Sequence, residues 1–421
     1  MRVLVLGAKG FIGRHIVAAL LSADHQVIAA VRETGEMPRR FPGISEIAVD
    51  LNSDVAPEDW ADRLKGVDAV VNAAGILRAA PGQSLDAVHV SGPMALYQAC
   101  QMAGVKRIIH ISATGADKEA GTGFALSKYE AEERLKQLDL NWLILRPSLV
   151  YAQGSYGGTS LMRGLAALPI VIPVPGCGDQ VFQPLHADDL AQAVVRFIET
   201  GEPRQCTLEP CGPEQLSLRE ILVKLRAWLG LPQAFVLPVP LWLIRVACKV
   251  GDLIGGGPFS TTALSQLLHG NAASATAFEG ATGLRFLSMD QWHVKCPSHV
   301  QDRWHARLYF LNPLLRAVLA ILWLASGLMG LFLAPESWTE IPVSPIWVRL
   351  AGAFDLMLAA SLILGRGLHW SLPLQGLMVA GYTIFLSLLT PALWLEPLGP
   401  LLKNLPILAA ILVLWAMEEK K

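Results

Sequence analysis

Charge is what this chain has least of: 16% of its 421 residues are Asp, Glu, Lys or Arg, against about 25% for a typical soluble domain. The shortage is local. Of its 34 basic and 35 acidic residues, eight lie between Leu308 and Met417, so the last quarter does not read as ordinary globular protein. A formal net charge of −1 leaves no basic excess, which argues against a nucleic-acid partner. Cysteine is scarce as well. Cys100, Cys177, Cys206, Cys211, Cys248 and Cys296 form no CxxC pair and join no His at zinc spacing, so buried reduced thiols are expected and a metal site is not. With 52% hydrophobic residues, disorder is excluded, and a disulfide-stapled miniprotein is too. No signal peptide is expected, because the apolar run Val3–Leu6 breaks at Gly7. Residues 1–300 should therefore stay in a reducing, cytosol-like compartment.

What is present is a rhythm. Arg2 to Gly7 is a short apolar run that stops at a glycine, as a buried parallel strand should. Phe11 to Leu21 has helical periodicity. Further strands are expected at Gln26–Val31, Ile44–Val49, Asp68–Asn72, Arg107–Ile111 and Trp142–Leu145, with helices near Pro93–Ala103 and Phe124–Leu138. Strands alternating with helices predict an α/β fold built on a doubly wound parallel Rossmann sheet. From Tyr151 the chain becomes rich in Gly and Pro, with helices near Ala187–Glu199, Leu218–Leu229 and Leu241–Ile254. The expected division is 1–150 for the dinucleotide-binding core, 151–300 for its completion and a small substrate-side lobe, and 301–421 for an all-α membrane domain.

That last part holds four apolar segments: Ala317–Pro335, Ile346–Gly365, Gly367–Leu395 and Leu398–Met417. A spanning helix needs about 20 mostly apolar residues, so four transmembrane helices are expected, the last being the weakest because Lys403 and Pro406 sit near its start. Loop charges set the orientation. With the α/β part cytosolic, Arg303, Arg307, Arg316, Arg366, Lys420 and Lys421 lie inside, while Arg349, Lys403, Glu336, Glu340 and Glu396 lie outside. A multi-pass protein of the cytoplasmic (inner) membrane with both termini cytosolic is the expectation. Asp355 is the one acid in mid-span. Such carboxylates face a bundle interior or a polar path; a structural partner such as Tyr382 or Gln375, or a quinone or proton site, would explain it.

Gly7-Ala-Lys-Gly10-Phe11-Ile12-Gly13 directly follows the first strand and opens the first helix. Glycines there let the backbone turn sharply, approach a pyrophosphate and pack helix on strand, with the helix N-terminus receiving the charge. This GxxGxxG spacing resembles the short-chain dehydrogenase/reductase superfamily. Other residues fit the resemblance: Asp50-Leu51 near the adenine ring, Asn72-Ala73-Ala74-Gly75 lining the cofactor, and Ser112 ending the fifth strand where the family's catalytic serine lies. Leu145-Arg-Pro-Ser-Leu-Val-Tyr151 and His186-Ala-Asp-Asp-Leu190 resemble stretches of the extended branch. Residues 1–300 are most similar to the atypical and extended members, including the accessory dinucleotide-binding subunit of respiratory complex I. The C-terminal segment resembles a DoxX-type membrane domain in span count and length.

The resemblance implies a nicotinamide dinucleotide held by Gly7, Gly10, Phe11, Ile12, Gly13, Asp50, Leu51, Ala73, Ala74, Gly75 and Lys128. Arg32, at the end of the second strand, is placed to fork onto a 2′-phosphate and points to NADP; the adjacent Glu33 pulls toward NAD. One family residue is missing. The family's acid is a Tyr four residues before the Lys; here the stretch reads Phe124-Ala-Leu-Ser-Lys128. A phenyl ring cannot donate a proton. Tyr129, next to Lys128, points about 100° away on the helix, and Tyr151 or His186 are the other conceivable stand-ins.

Two readings follow. The first is a membrane-anchored oxidoreductase acting on an apolar small molecule or membrane-borne substrate such as a quinone or lipid, with Ser112 and Lys128 as its catalytic residues, Ser112 orienting the acceptor and Lys128 the ribose. The second is a non-catalytic dinucleotide-binding sensor or assembly factor for a membrane protein partner. A nucleotide-sugar epimerase is disfavoured, since it too relies on the missing Tyr.

Overall fold

A computed structural model describes residues 1–79, 82–105, 107–200, 205–253, 259–333, 344–396 and 399–418. It divides into two compact units, Met1–Ala306 and Arg307–Lys421.

The first unit is built on seven strands: β1 (Arg2–Leu6), β2 (Gln26–Val31), β3 (Ser45–Ala48), β4 (Ala69–Asn72), β5 (Arg107–Ile111), β6 (Asn141–Leu145) and β7 (Cys206–Leu208). They lie in the order β7-β6-β5-β4-β1-β2-β3, every pairing parallel. The order reverses between β1 and β4, which opens a crevice at their carboxyl ends, the place where such sheets bind ligands. Alternation along β1 sends Val3 and Val5 into one buried layer and Leu4 and Leu6 into the other. Helix α1 (Phe11–Ser22) and α4 (Ala187–Thr200) close the first layer through Ile16, Leu20, Val194 and Ile198. Helix α2 (Gly92–Ala103) closes the second with Leu96 and Tyr97, and α3 (Gly123–Lys136) joins it with Leu135. Just before α2 the backbone makes a wide π-type turn, Ala87–Ser91.

The doubly wound expectation therefore holds, with two additions. Three-residue β7 extends the sheet beyond β6. The Gly- and Pro-rich stretch after Tyr151 is more ordered than expected: it contains a helix, Gly158–Ala166, and a strand, Val171–Pro175, paired in parallel with Phe235–Val239. Helix α5 (Leu241–Leu253) and α6 (Thr261–His269) follow; the expected end of α5 at Ile254 lies outside the described residues.

The second unit carries most of α7 (Val300–Phe332), with α8 (Pro345–Leu364), α9 (Leu368–Leu389) and α10 (Asn404–Met417). Among the described residues, α7, α8 and α9 are long and apolar enough to cross a membrane. The fourth differs from expectation. At 14 residues, α10 is about 21 Å long, short of a hydrocarbon core of about 30 Å. The chain turns through 401–403 before it, so Lys403 and Pro406 stand at its first turn. Helices α7 and α8 approach closely: a Cβ added at Gly352 would lie 2.9 Å from the Gly327 carbonyl oxygen and 3.1 Å from Gly330 Cα. Beside that crossing the Ser326 hydroxyl donates to Asp355 at 2.6 Å, with Tyr382 near the same carboxylate. Gln375 instead accepts from Trp323 Nε1 at 2.9 Å. Pro335, Glu336, Glu340, Lys420 and Lys421 lie outside the described residues.

Candidate active site

The loop after β1 is shaped by what cannot fit there. Gly7 has φ +78°, and a Cβ on it would lie 2.6 Å from the Ala74 backbone nitrogen; one on Gly13 would lie 2.1 Å from the Gly7 carbonyl oxygen. Any side chain would push the loop off the β4 turn or the helix off the strand. Gly10 N–H bonds the Gly7 carbonyl at 2.9 Å and Arg14 N–H bonds Gly10 at 3.0 Å, so α1 starts where the loop ends. Phe11 and Ile12 are half-buried in its first turn. This is a cradle with a helix N-terminus aimed at the crevice, and it fits a pyrophosphate.

The remaining predicted residues gather at the same crevice. Asp50 is exposed just past β3, its carboxyl held below the usual range chiefly by hydrogen bonds from Asn52. Leu51 packs beneath it into the buried layer. Arg32 is exposed at the end of β2, and with the Gln83 amide oxygen turned toward it, its guanidinium donates to that oxygen. Lys9 donates to the Glu33 carbonyl at 2.7 Å and pairs with Glu36 at 3.2 Å, so Glu33 contributes a backbone oxygen here. Asn72 Oδ1 accepts from Ala74 N–H at 3.0 Å while its amide donates to Tyr97 at 2.8 Å, which fixes the Ala73–Gly75 turn.

Lys128 sits under that turn. Its ammonium donates to the carbonyls of Ala74 at 3.3 Å and Ile111 at 3.0 Å. Burial lowers its pKa from 10.5 to about 8, with Glu132 partly opposing the shift. Phe124 lies one helical turn earlier on α3, its ring edge-on to His89 at 5.6 Å. His89, carried by the wide turn 87–91, accepts from Ile76 N–H at 3.0 Å through Nε2 and meets Ser127 Oγ at 2.7 Å through Nδ1. Burial, aided by Lys128, lowers its pKa to about 3, so it is neutral and links the cofactor turn to α3.

Ser112 is placed differently from expectation. Its hydroxyl donates inward to Glu132 Oε1 at 2.5 Å. Glu132 is fully buried and receives Arg146 through Nε at 3.0 Å and an η nitrogen at 2.6 Å. A serine committed this way can accept a hydrogen bond from a ligand but has no proton left to polarise a carbonyl. The sequence reading missed Glu132, although its place four residues after Lys128 on the same helix face is a signal that could have found it. His89 and Arg146 carried no such signal, because their partners come from distant segments.

Tyr151 and His186 stand apart, in a small cavity lined also by Arg163, Trp228, Trp292 and His293. His186 stacks on Trp292 at 3.6 Å and is neutral, its pKa lowered to about 4 mainly by burial. The Tyr151 hydroxyl is buried without a hydrogen-bond partner among the described residues, and burial raises its pKa. Both rings line this cavity, where Tyr151 meets His186 edge-on at 5.2 Å. Tyr129 is half-buried beside Lys128.

Residues 7–165 match the family described as NAD(P)H-binding, and residues 320–412 match the DoxX-like family. A ceramide reductase of Caulobacter vibrioides is 31% identical over 199 residues, 47% of this chain and 61% of that protein. The mitochondrial NADH dehydrogenase [ubiquinone] 1 alpha subcomplex subunit 9 of Dictyostelium discoideum is 25% identical over 222 residues, 52% of this chain and 61% of that protein. The chain thus spans less than two thirds of either relative. Among solved structures, a dTDP-glucose 4,6-dehydratase from Bacillus anthracis in complex with NAD superposes with a TM-score of 0.54 at 17% identity, over 70% of this chain and 97% of that one. That likeness concerns the fold.

Proposed function

We propose that this chain, in which an NAD(P)-binding Rossmann domain precedes a C-terminal DoxX-like domain, is a membrane-held NAD(P)H-dependent oxidoreductase acting on an apolar or membrane-borne substrate. The observation that carries the reading is Lys128, a buried cation fixed by two carbonyls directly under the cofactor turn. When bound, the reduced dinucleotide would supply a hydride, one proton with two electrons, and the second proton would come from solvent, because Phe124 has none to give and Ser112 donates its own to Glu132. The chain's own residues do the rest. Gly7, Gly10 and Gly13 hold the pyrophosphate with Phe11 and Ile12 at the helix start. Asp50 and Leu51 flank the adenine, and Ala73, Ala74 and Gly75 line the nicotinamide side. Lys128 holds the ribose, and Arg32 reads a 2′-phosphate, which favours NADP over NAD. Ser112 braces the site through Glu132. A lipid substrate accords with the relative named ceramide reductase and with the apolar helices of the second unit; a quinone is the other candidate.

A second reading has support of its own. Phe124 in place of the phenol, with Ser112 donating inward, removes both usual polarising groups, as suits a dinucleotide-binding sensor or assembly factor for a membrane partner. Purified protein should retain a nicotinamide nucleotide, and the reduced form should be oxidised when lipids or quinones are added. Retained nucleotide without turnover on any quinone, carbonyl or enoyl compound would move the conclusion to the second reading.

The charge asymmetry between loops (Arg303, Arg307, Arg316 and Arg366 against Arg349 and Lys403) supports an inner-membrane protein with the Rossmann unit and both termini cytosolic. Reporter fusions after Lys421 and within 336–340 should report opposite sides. The same side for both would mean that short α10 does not cross.

A further inference from the structure

Helix α5 turns an apolar face to the outside. Trp242, Leu243, Val246 and Val250 are exposed, Trp242 at 65%. At about 100° per residue, these four fall within one arc of about 100°. Arg245 and Lys249, both exposed, border that arc on one side. Cys248, on the opposite face, is buried, and Ile244 beside it is half-buried. The apolar surface continues into the strand that leads into the helix, where Phe235 is 79% exposed and Leu237 is also exposed. Phe235 N–H bonds the carbonyl of Ile170, itself exposed.

The same helix is tied to the rim of the candidate site. Its Asp252 pairs with Arg78 at 3.5 Å, three residues past Gly75 in the cofactor-lining turn. Asp252 also accepts from the Thr261 hydroxyl at 2.7 Å, at the start of α6. On α6, Gln266 donates to the Thr122 hydroxyl at 2.7 Å, and Thr122 caps the helix that carries Phe124 and Lys128.

We infer that α5 lies in the surface of a phospholipid bilayer and holds the mouth between Arg78 and the start of α3 against it, so that a lipid-borne substrate enters from the membrane. Two observations select lipid over a protein partner. The face combines Trp and aliphatic side chains with bordering Arg and Lys, the composition of a helix lying at a bilayer interface, where cations reach headgroup phosphates. The chain also brings its own bilayer, through α7, α8 and α9. The entry route rests on the oxidoreductase reading; the docking does not.

The test uses the full chain in phosphatidylethanolamine–phosphatidylglycerol nanodiscs. A spin label is placed by Val246→Cys in a background carrying Cys177→Ser, Cys206→Ser and Cys296→Ser, with Asp139→Cys as the exposed reference. Collisions with dissolved oxygen, which concentrates in lipid, are compared with collisions with a water-soluble nickel chelate. The expected result is an oxygen-to-chelate ratio at least fivefold higher at 246 than at 139. Equal ratios would place the face in water and overturn the inference. Low access to both reagents would mean that protein covers the face, either the helical unit or a second copy, and would overturn it equally. Trp242→Glu combined with Val246→Glu should then lower turnover of a bilayer-embedded substrate at least tenfold, leaving NADPH binding and turnover of a water-soluble carbonyl unchanged. If the label sits in lipid but no lipid, quinone, carbonyl or enoyl compound oxidises bound NADPH, docking stands and the oxidoreductase reading falls.

Discussion

Ser112 and Glu132 share a 2.5 Å hydrogen bond whose acceptor is already clamped by Arg146. The serine thereby ties the end of β5 to the helix bearing Lys128, and the arginine ties both to the end of β6. Three segments, the ends of β5 and β6 and the helix bearing Lys128, are joined at one buried carboxylate. Breaking a buried pair from one side typically costs about 3–5 kcal/mol. Glu132→Gln should therefore lower unfolding free energy by about that range, measured by denaturant titration, with a larger loss for Glu132→Ala. A loss under about 1 kcal/mol, the worth of an exposed pair, would show that the brace does not matter.

Phe124→Tyr would place a phenol one turn before Lys128. A positioned proton donor contributes about 10²- to 10⁴-fold in rate. NADPH-dependent reduction of simple carbonyls should appear or rise in this variant without change in melting temperature. If the native protein already reduces a substrate and the variant is slower, another donor operates and the phenyl ring is substrate surface.

Arg32→Ala should weaken NADPH binding by about 1.5–3 kcal/mol, the worth of a hydrogen bond to a charged group, and leave NADH binding nearly unchanged. Calorimetric titration of both cofactors distinguishes the outcomes; equal losses would refute the assignment to a 2′-phosphate.

Buried neutral histidines, His89, His110, His186 and His293 among the described residues, set an acid limit. Burial lowers His89 to about 3 and His293 to about 4, both from 6.5. Each binds a proton more weakly folded than unfolded, so its stability contribution is whole above pH 6.5 and lost as pH falls toward those values. Unfolding free energy from denaturant titration should decline from about pH 6.5 downward, by on the order of 5–8 kcal/mol in all, and the melting temperature with it. His89→Asn should flatten part of that decline; an unchanged slope would mean His89 is solvated.

At the α7–α8 crossing, Gly352→Leu has no room beside Gly327 and Gly330. Small residues let membrane helices approach closely, so this variant should lower the thermal stability of detergent-purified protein by several degrees while NADPH binding by the first unit persists. Unchanged melting would show the contact to be loose.

Much of the α/β fold could be read along the chain, because β1, the glycine loop and α1 form a local unit with its own periodicity. Lys128 and Phe124 were legible for the same reason. What escaped was either short or non-local. The stretch after Cys206 is β-like by itself, but its place in the sheet as β7 (Cys206–Leu208) depends on the distant edge that β6 offers. The helices Thr261–His269, Ala275–Thr282 and Met289–Lys295 are each capped by a serine side chain, a sequence signal weaker than the Gly and Pro around it. The inward turn of Ser112 depends on Arg146, contributed by another strand end, and no spacing rule reports that.

The wide turn at 87–91 sets a particular kind of evolutionary limit. A π-type turn accommodates one residue more than an α-helix would, and here that extra residue is what aims His89 at both Ile76 and Ser127. Losing a residue there would rotate the imidazole by about 100° and release the cofactor turn from α3. Descendants of this chain can exchange side chains along that segment far more readily than they can change its length.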